Sequence, residues 1–153
     1  MATIAADSRC RGIYHHGMTA PVTVLVYSDN RITRHRVMAA LGSRPSTELP
    51  VFGYVEVATH PMVVQHMDSG GIDAAILDAE ATPAGGLGLA RQLTDELVDC
   101  PPLIVLTGRP ADSWLAHWSR ADAAVPHPLD PAHLTAAVVA VVRRRLAAAI
   151  APS

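Results

Sequence analysis

The sequence predicts an α/β fold built on a parallel sheet. Short apolar runs recur along the chain, helix-compatible stretches separate them, and this strand–helix alternation repeats five times. At 153 residues the chain is long enough for one domain with a full core and too short for two.

The elements follow in order from residue 22. Val22–Tyr27 (VTVLVY) reads as a buried parallel strand, and Arg31–Leu41 as the helix that follows it. Gly53–Val57 and Ala74–Leu77 are the second and third strands, with Pro61–Met67 a helix between them. Leu87–Leu97 is helical, Leu103–Leu106 is the fourth strand, Asp112–Arg120 is helical and Ala123–Val125 is the fifth strand. A last helix runs from Pro131, well placed in a first turn, towards Ile150. It is apolar almost all round from Ala136 to Val142, which packs it on the sheet and leaves some surface for another protein. Arg143–Arg145 then read as cations favoured by the negative end of the helix dipole. Residues 1–20 lack periodicity and are expected to be a disordered extension of a domain spanning 21–150, with Met18 an alternative start to Met1. His15 and His16 read as an incidental polar tail.

Composition excludes several classes. Half of the residues are apolar and 17% are charged, which excludes a disordered regulator. A formal charge of -2 argues against a nucleic-acid partner. The longest strictly apolar stretch, Ala136–Val142, is far short of the ~18 residues a membrane span needs, and residues 1–20 do not read as a secretory segment. Cys10 and Cys100 suggest neither a disulfide framework nor a zinc site, so the expected location is the reducing cytoplasm. All 12 Lys-plus-Arg residues are arginine, and a chain without lysine has no Schiff-base chemistry, no Walker A phosphate lysine and no ammonium base.

In an open parallel sheet, function gathers outside the carboxyl ends of the strands. The first strand ends on Ser28, Asp29 and Asn30, the third on Asp78, Ala79 and Glu80, the fourth on Thr107 and Gly108, and the fifth on His127 and Pro128. Carboxylates, a hydroxyl and an imidazole therefore share one edge.

These segments carry a resemblance. VLVYSDN (24–30), IDAAILDAEATPAGG (72–86), PLIVLTGRP (102–110) and ADAAVPHPLDP (121–131) resemble, in order and near-family spacing, the receiver domain of bacterial two-component response regulators. The resemblance covers the chain from Val22 to about Arg145. It implies a flavodoxin-like (βα)5 fold with a five-stranded parallel sheet of order 2-1-3-4-5. It also implies a stand-alone signalling module rather than an enzyme, with a sensor histidine kinase as phosphoryl source. Asp78 stands at the phosphoacceptor position, Asp29 at that of a metal ligand for Mg²⁺ beside Asp78, and Glu80 where a backbone carbonyl completes the metal set. Thr107 matches the hydroxyl that binds the phosphoryl oxygen, and Gly86 fits the pattern.

Departures from the family accompany the matches. Ser28 replaces the first of two adjacent acids, which lowers the charge that attracts Mg²⁺. His127 replaces a lysine whose charged hydrogen bond is worth about 1.5–3 kcal/mol, and neutral imidazole recovers only part of that. Ala124 replaces the aromatic switch residue, Arg120 the glycine of a turn, and Pro83 falls one place late. The expectation is an atypical receiver with Asp78 as acceptor, a damaged switch and weak Mg²⁺ binding.

The sequence after the last helix is too short for a DNA-binding segment, so the expectation is an output in trans through a downstream protein. Trp114 and Trp118, four apart on the fourth helix, are candidate anchors; their alternative is packing against neighbouring apolar residues. The fourth and fifth helices are the usual receiver dimerisation face, so a homodimer is expected there. The rival on the same fold is a phosphorylation-independent interaction module. An aspartyl-phosphate enzyme of the haloacid dehalogenase type, suggested by Asp78-Ala79-Glu80-Ala81-Thr82, needs a further basic residue, a late acid pair and usually a cap domain, and here the motif sits mid-chain with little chain left to supply them. A flavin carrier lacks a phosphate cradle, and a zinc site from Asp29, Asp78 and His127 lacks ligand spacing.

Overall fold

The computed structural model describes residues 20–81, 85–109 and 113–150. Strands β1 (Val22–Tyr27), β2 (Phe52–Val57), β3 (Ala74–Asp78), β4 (Leu103–Thr107) and β5 (Ala123–Pro126) form one parallel sheet in the order β2-β1-β3-β4-β5. The helices of the described residues are α1 (Arg31–Leu41), α2 (His60–Ser69), α3 (Gly86–Glu96), α4 (Ser113–Trp118) and α5 (Pro131–Ile150). The expected flavodoxin-like order is therefore observed. It places the topological switch point, and with it the ligand crevice, between the carboxyl ends of β1 and β3.

Alternation along the strands splits the core into two layers. Val24, Val26, Ala74, Ile76, Ile104, Leu106 and Val125 pack with α1 and α5 through Val37, Leu41, Leu134, Val138 and Val141. Leu25, Tyr27, Ala75, Leu77, Leu103 and Val105 pack with α2 and α3 through Val63, Met67, Leu89 and Leu93. β3 and β4 are buried at every residue, which explains why they read as unbroken apolar runs.

Three strands run one residue further than expected, and the difference bears on function. Asp78 pairs with Leu106 and Thr107 with Pro126 in the ladder, and the Ala79 and His127 N–H groups extend it by donating to the Leu106 and Thr107 carbonyls at 2.9 and 2.8 Å. Asp78 and Thr107 thus hang from strand residues rather than from loops, while Ser28, Asp29, Glu80 and His127 follow directly after the strands. The apolar pattern ends before the backbone ladder does, so it cannot reveal this.

Helix α4 ends at Trp118 rather than Arg120 because Arg120 takes φ +63, the left-handed conformation that closes a helix and favours glycine. This accounts for the departure from a glycine-bearing turn: the conformation is kept and the residue is not. The dipole reading of Arg143–Arg145 is corrected, because α5 continues to Ile150 and leaves these residues more than a turn from its end. Arg143 instead meets Glu48 at 2.7 Å and Arg145 meets Asp99 at 3.1 Å. The expected extension, with Met18, Cys10, His15 and His16, lies outside the described residues, as does Pro83. No helix of the described residues is long and apolar enough to cross a membrane.

Gly86 starts α3 directly against β3. A Cβ there would stand 2.8 Å from the carbonyl oxygens of both Leu77 and Asp78, whereas one at Gly88 meets nothing within 4 Å. Gly86→Ala should therefore lower stability by about 2 kcal/mol through overpacking against backbone. Gly88→Ala should raise it by about 0.5–1 kcal/mol through helix propensity. Urea unfolding of the two variants checks the pair, and equal effects would refute the contact.

Alkali should find a second weakness. Burial pushes the Tyr54 hydroxyl, which donates to the Gly42 carbonyl, up to about 12, and the half-buried Cys100 thiol up to about 11. Both groups hold their protons more tightly folded than unfolded. Their contribution is fully present below the ordinary thiol and phenol range and is lost as pH rises through about 11 and about 12. Thermal unfolding should show the midpoint falling steadily over that window, and less steeply in Tyr54→Phe.

Candidate functional site

Asp29, Asp78, Glu80 and His127 line one cleft at the carboxyl edge of the sheet, with Thr33 and Arg36 of α1 on its wall. Ser28 and Thr107 lie behind it, both fully buried. The residues expected to form a site are therefore brought together, apart from Ala124, half-buried inside β5, and Trp114 and Trp118 on α4.

Asp78 is the centre. Its Oδ2 accepts the Ser28 hydroxyl at 2.7 Å, its Oδ1 accepts the Glu80 N–H at 3.0 Å, and His127 Nε2 stands 3.4 Å from Oδ1. The Asn30 N–H donates to Ser28 Oγ at 3.0 Å, which fixes the hydroxyl with its proton towards Asp78. Buried at 3% exposure, the carboxylate needs such donors, since an unpaired charge there would cost several kcal/mol.

Local structure fixes each partner. Asn30 caps α1, its side chain accepting the Ile32 N–H at 2.9 Å, so the chain turns sharply after Ser28. Arg34, one turn into α1, donates to the Ser28 carbonyl at 2.6 Å and pairs with Glu56 at 3.1 Å. It ties α1 to the ends of β1 and β2. Burial, then the charges of Asp29 and Asp78, push the Tyr27 hydroxyl above its ordinary value and keep it neutral beneath the cleft. Gly108 leaves room for the Glu80 carboxylate, whose Oε2 a Cβ would approach to 2.9 Å.

Thr107 differs from its neighbours. Its hydroxyl is buried and, among the described residues, has no hydrogen-bond partner. An unsatisfied buried hydroxyl costs about 1–3 kcal/mol and is uncommon in folded proteins.

This edge, sheet order and residue set can be compared with known proteins. The chain is 64% identical over 120 residues to proteins from two strains of Mycobacterium tuberculosis, each named an uncharacterized response regulatory protein. The match covers 78% of this chain and 90% of each relative. The chain belongs to the response regulators. Solved receiver domains share the fold: that of a Francisella response regulator superposes with TM-score 0.68 at 14% identity, over 80% of this chain and 98% of its own. That of the TMAO respiratory system regulator TorR gives 0.65 at 22% identity, over 81% and 98%. No protein-family model matches the chain.

The protein is thus a receiver domain of two-component signalling. Receivers as a class associate with Mg²⁺ at this edge, and the donors here fit it: Asp29 and Asp78 offer carboxylate oxygens to one cleft, which suits a hard cation that keeps several waters. No group of three or more His, Cys, Asp or Glu side chains among the described residues could hold a metal ion.

Two residues of the receiver's site escaped the sequence. Arg34 and Arg36 stand among several arginines on α1, and their spacing does not separate one that braces Ser28 from one that faces the cleft. Only the position of the helix does.

Ser28→Asp should set a second buried carboxylate against Asp78 in place of a donor. Stability should fall by about 3 kcal/mol in chelator and recover as Mg²⁺ is added, with Mg²⁺ binding tighter than in the wild type. Thermal unfolding across a Mg²⁺ series checks this; a variant as stable as wild type in chelator would show that the serine hydroxyl is not needed.

Proposed function

We propose that this receiver accepts a phosphoryl group on Asp78 and, with an impaired switch, delivers its output through a protein contact in trans. The observation that carries the reading is the orphaned Thr107 hydroxyl, at the end of the strand beside Asp78. A phosphoryl oxygen on Asp78 would give that hydroxyl an acceptor, so modification removes a cost already built into the unmodified fold.

In the transfer, an Asp78 carboxylate oxygen forms a bond to phosphorus. The bond from phosphorus to the donor's leaving atom, a histidine nitrogen of a sensor kinase or an acyl oxygen of a small phosphodonor, breaks with its electron pair. Mg²⁺ held by Asp29, Asp78 and the Glu80 carbonyl would neutralise charge on the phosphoryl oxygens, weakly because Ser28 adds none. The Glu80 N–H and the Ser28 hydroxyl orient the nucleophile. His127 stands at the lysine position and offers a cation only when protonated. The protein is read as a cytoplasmic signalling module rather than an enzyme.

The packing of Ala124 supports the reading of an impaired switch. Ala124 pairs with Val105, two residues before Thr107, and packs on the α2–α3 side with Val105. A ring there could follow the hydroxyl as it moves; a methyl group cannot. A second reading, a module whose contact is independent of phosphorylation, is favoured by the tryptophans. Trp114 is 65% and Trp118 50% exposed in the unmodified chain, so the packing alternative does not account for them. Arg91 lies 5.0 Å over the Trp118 ring and bonds its carbonyl at 3.0 Å, holding the indole in place. With α5 this surface is where a homodimer or downstream partner would dock.

Small phosphodonors should label the wild type slowly, and only at Asp78, as followed by intact mass and peptide mapping. Self-association or capture of an isolated partner should fall in Trp118→Ala and stay nearly intact in Asp78→Ala, both checked for folding. Rapid labelling with strong phosphorylation-dependent dimerisation would restore an ordinary switch and overturn the impairment.

A further inference from the structure

We propose that Arg36 is the cation that binds the phosphoryl group at Asp78, entering from α1 in place of the missing lysine. The inference rests on Asp78 as acceptor and adds a residue that the family pattern does not point to.

A phosphoryl group brings charge into a cleft that already holds Asp29, Asp78 and Glu80, and such a group is normally met by a fixed cation. The chain has no lysine, so the cation must be arginine or protonated histidine. His127 is 3.4 Å from Asp78 Oδ1, but it supplies a positive charge only if protonated, whereas an arginine carries one permanently. Arg34 is close and 13% exposed, yet its guanidinium is committed to the Ser28 carbonyl and Glu56. Arg31 does not line the cleft.

Arg36 does line it, one turn along α1 from Thr33 on the same wall. Among the described residues it has no hydrogen-bond or ion-pair partner. A guanidinium beside three carboxylates, bound to none of them, is available to a tetrahedral anion, and its paired N–H groups match two phosphoryl oxygens. Being long and exposed, it can swing to the anion without moving backbone. Lysine at the end of β5 and arginine from α1 would then be two routes for bringing one positive charge to the same oxygens.

The test compares Arg36→Gln and Arg36→Lys with wild type and Asp78→Asn. One readout is the rate and donor-concentration dependence of labelling by acetyl phosphate. The other is beryllofluoride, a phosphoryl mimic, titrated in the presence of Mg²⁺ and followed by amide NMR shifts around Gly108. Arg36→Gln should weaken beryllofluoride binding about tenfold and raise the half-saturating acetyl phosphate concentration by a similar factor. Thermal stability should be unchanged, and Arg36→Lys should recover part of the loss. If wild type and Arg36→Gln bind the mimic and label equally, the role of Arg36 is refuted while Asp78 stands. If neither ligand acts on the wild type, or labelling survives in Asp78→Asn, the acceptor reading fails and this inference with it.

Discussion

A carboxylate buried at the end of an interior strand has to be surrounded by donors, and this edge of the sheet is arranged to meet that demand. Ser28, the Glu80 amide and His127 converge on Asp78 from three different segments. Each is itself held, Ser28 by the Asn30 amide and by Arg34, and His127 by a ladder bond from its own N–H to Thr107. The turn after β1, the cap of α1 and the last ladder bond of β5 are consequences of keeping one ionised oxygen pair in a dry place.

The two largest departures from the family pattern make sense together. Serine for an acid removes one negative charge, and histidine for lysine removes one positive charge when the imidazole is neutral. The net charge of the site is therefore unchanged, but its character is different. An acid in place of Ser28 would need a cation to hold it beside Asp78; a hydroxyl needs none, because it donates. At Ser28 the Asp78 carboxylate is met by a hydrogen bond, which needs no cation to hold it.

Much of this was legible in the chain. Interior strands of a parallel sheet are apolar at every position, so VTVLVY, AAIL and LIVL declared themselves, and the polar residue after each run marked the functional edge. Strand order was legible only through the family resemblance, since periodicity carries no information on which strands pair. The last rung of the ladder was missed because backbone pairing continues past the final apolar side chain. The arginines of α5 were assigned to a dipole because their partners, Glu48 and Asp99, are distant in sequence. Arg36 was invisible for the same reason: its meaning lies in where α1 sits, not in its neighbours along the chain.

The contact at Gly86 has a mechanical meaning. Where a helix backbone rests on the last two carbonyls of a strand with no side chain between, nothing compressible separates the two elements. β3 and α3 are in direct backbone contact beside Asp78, and Arg91, further along α3, donates to the carbonyl of Trp118. These contacts link the Asp78 backbone to the tryptophan surface through α3 without passing through β5.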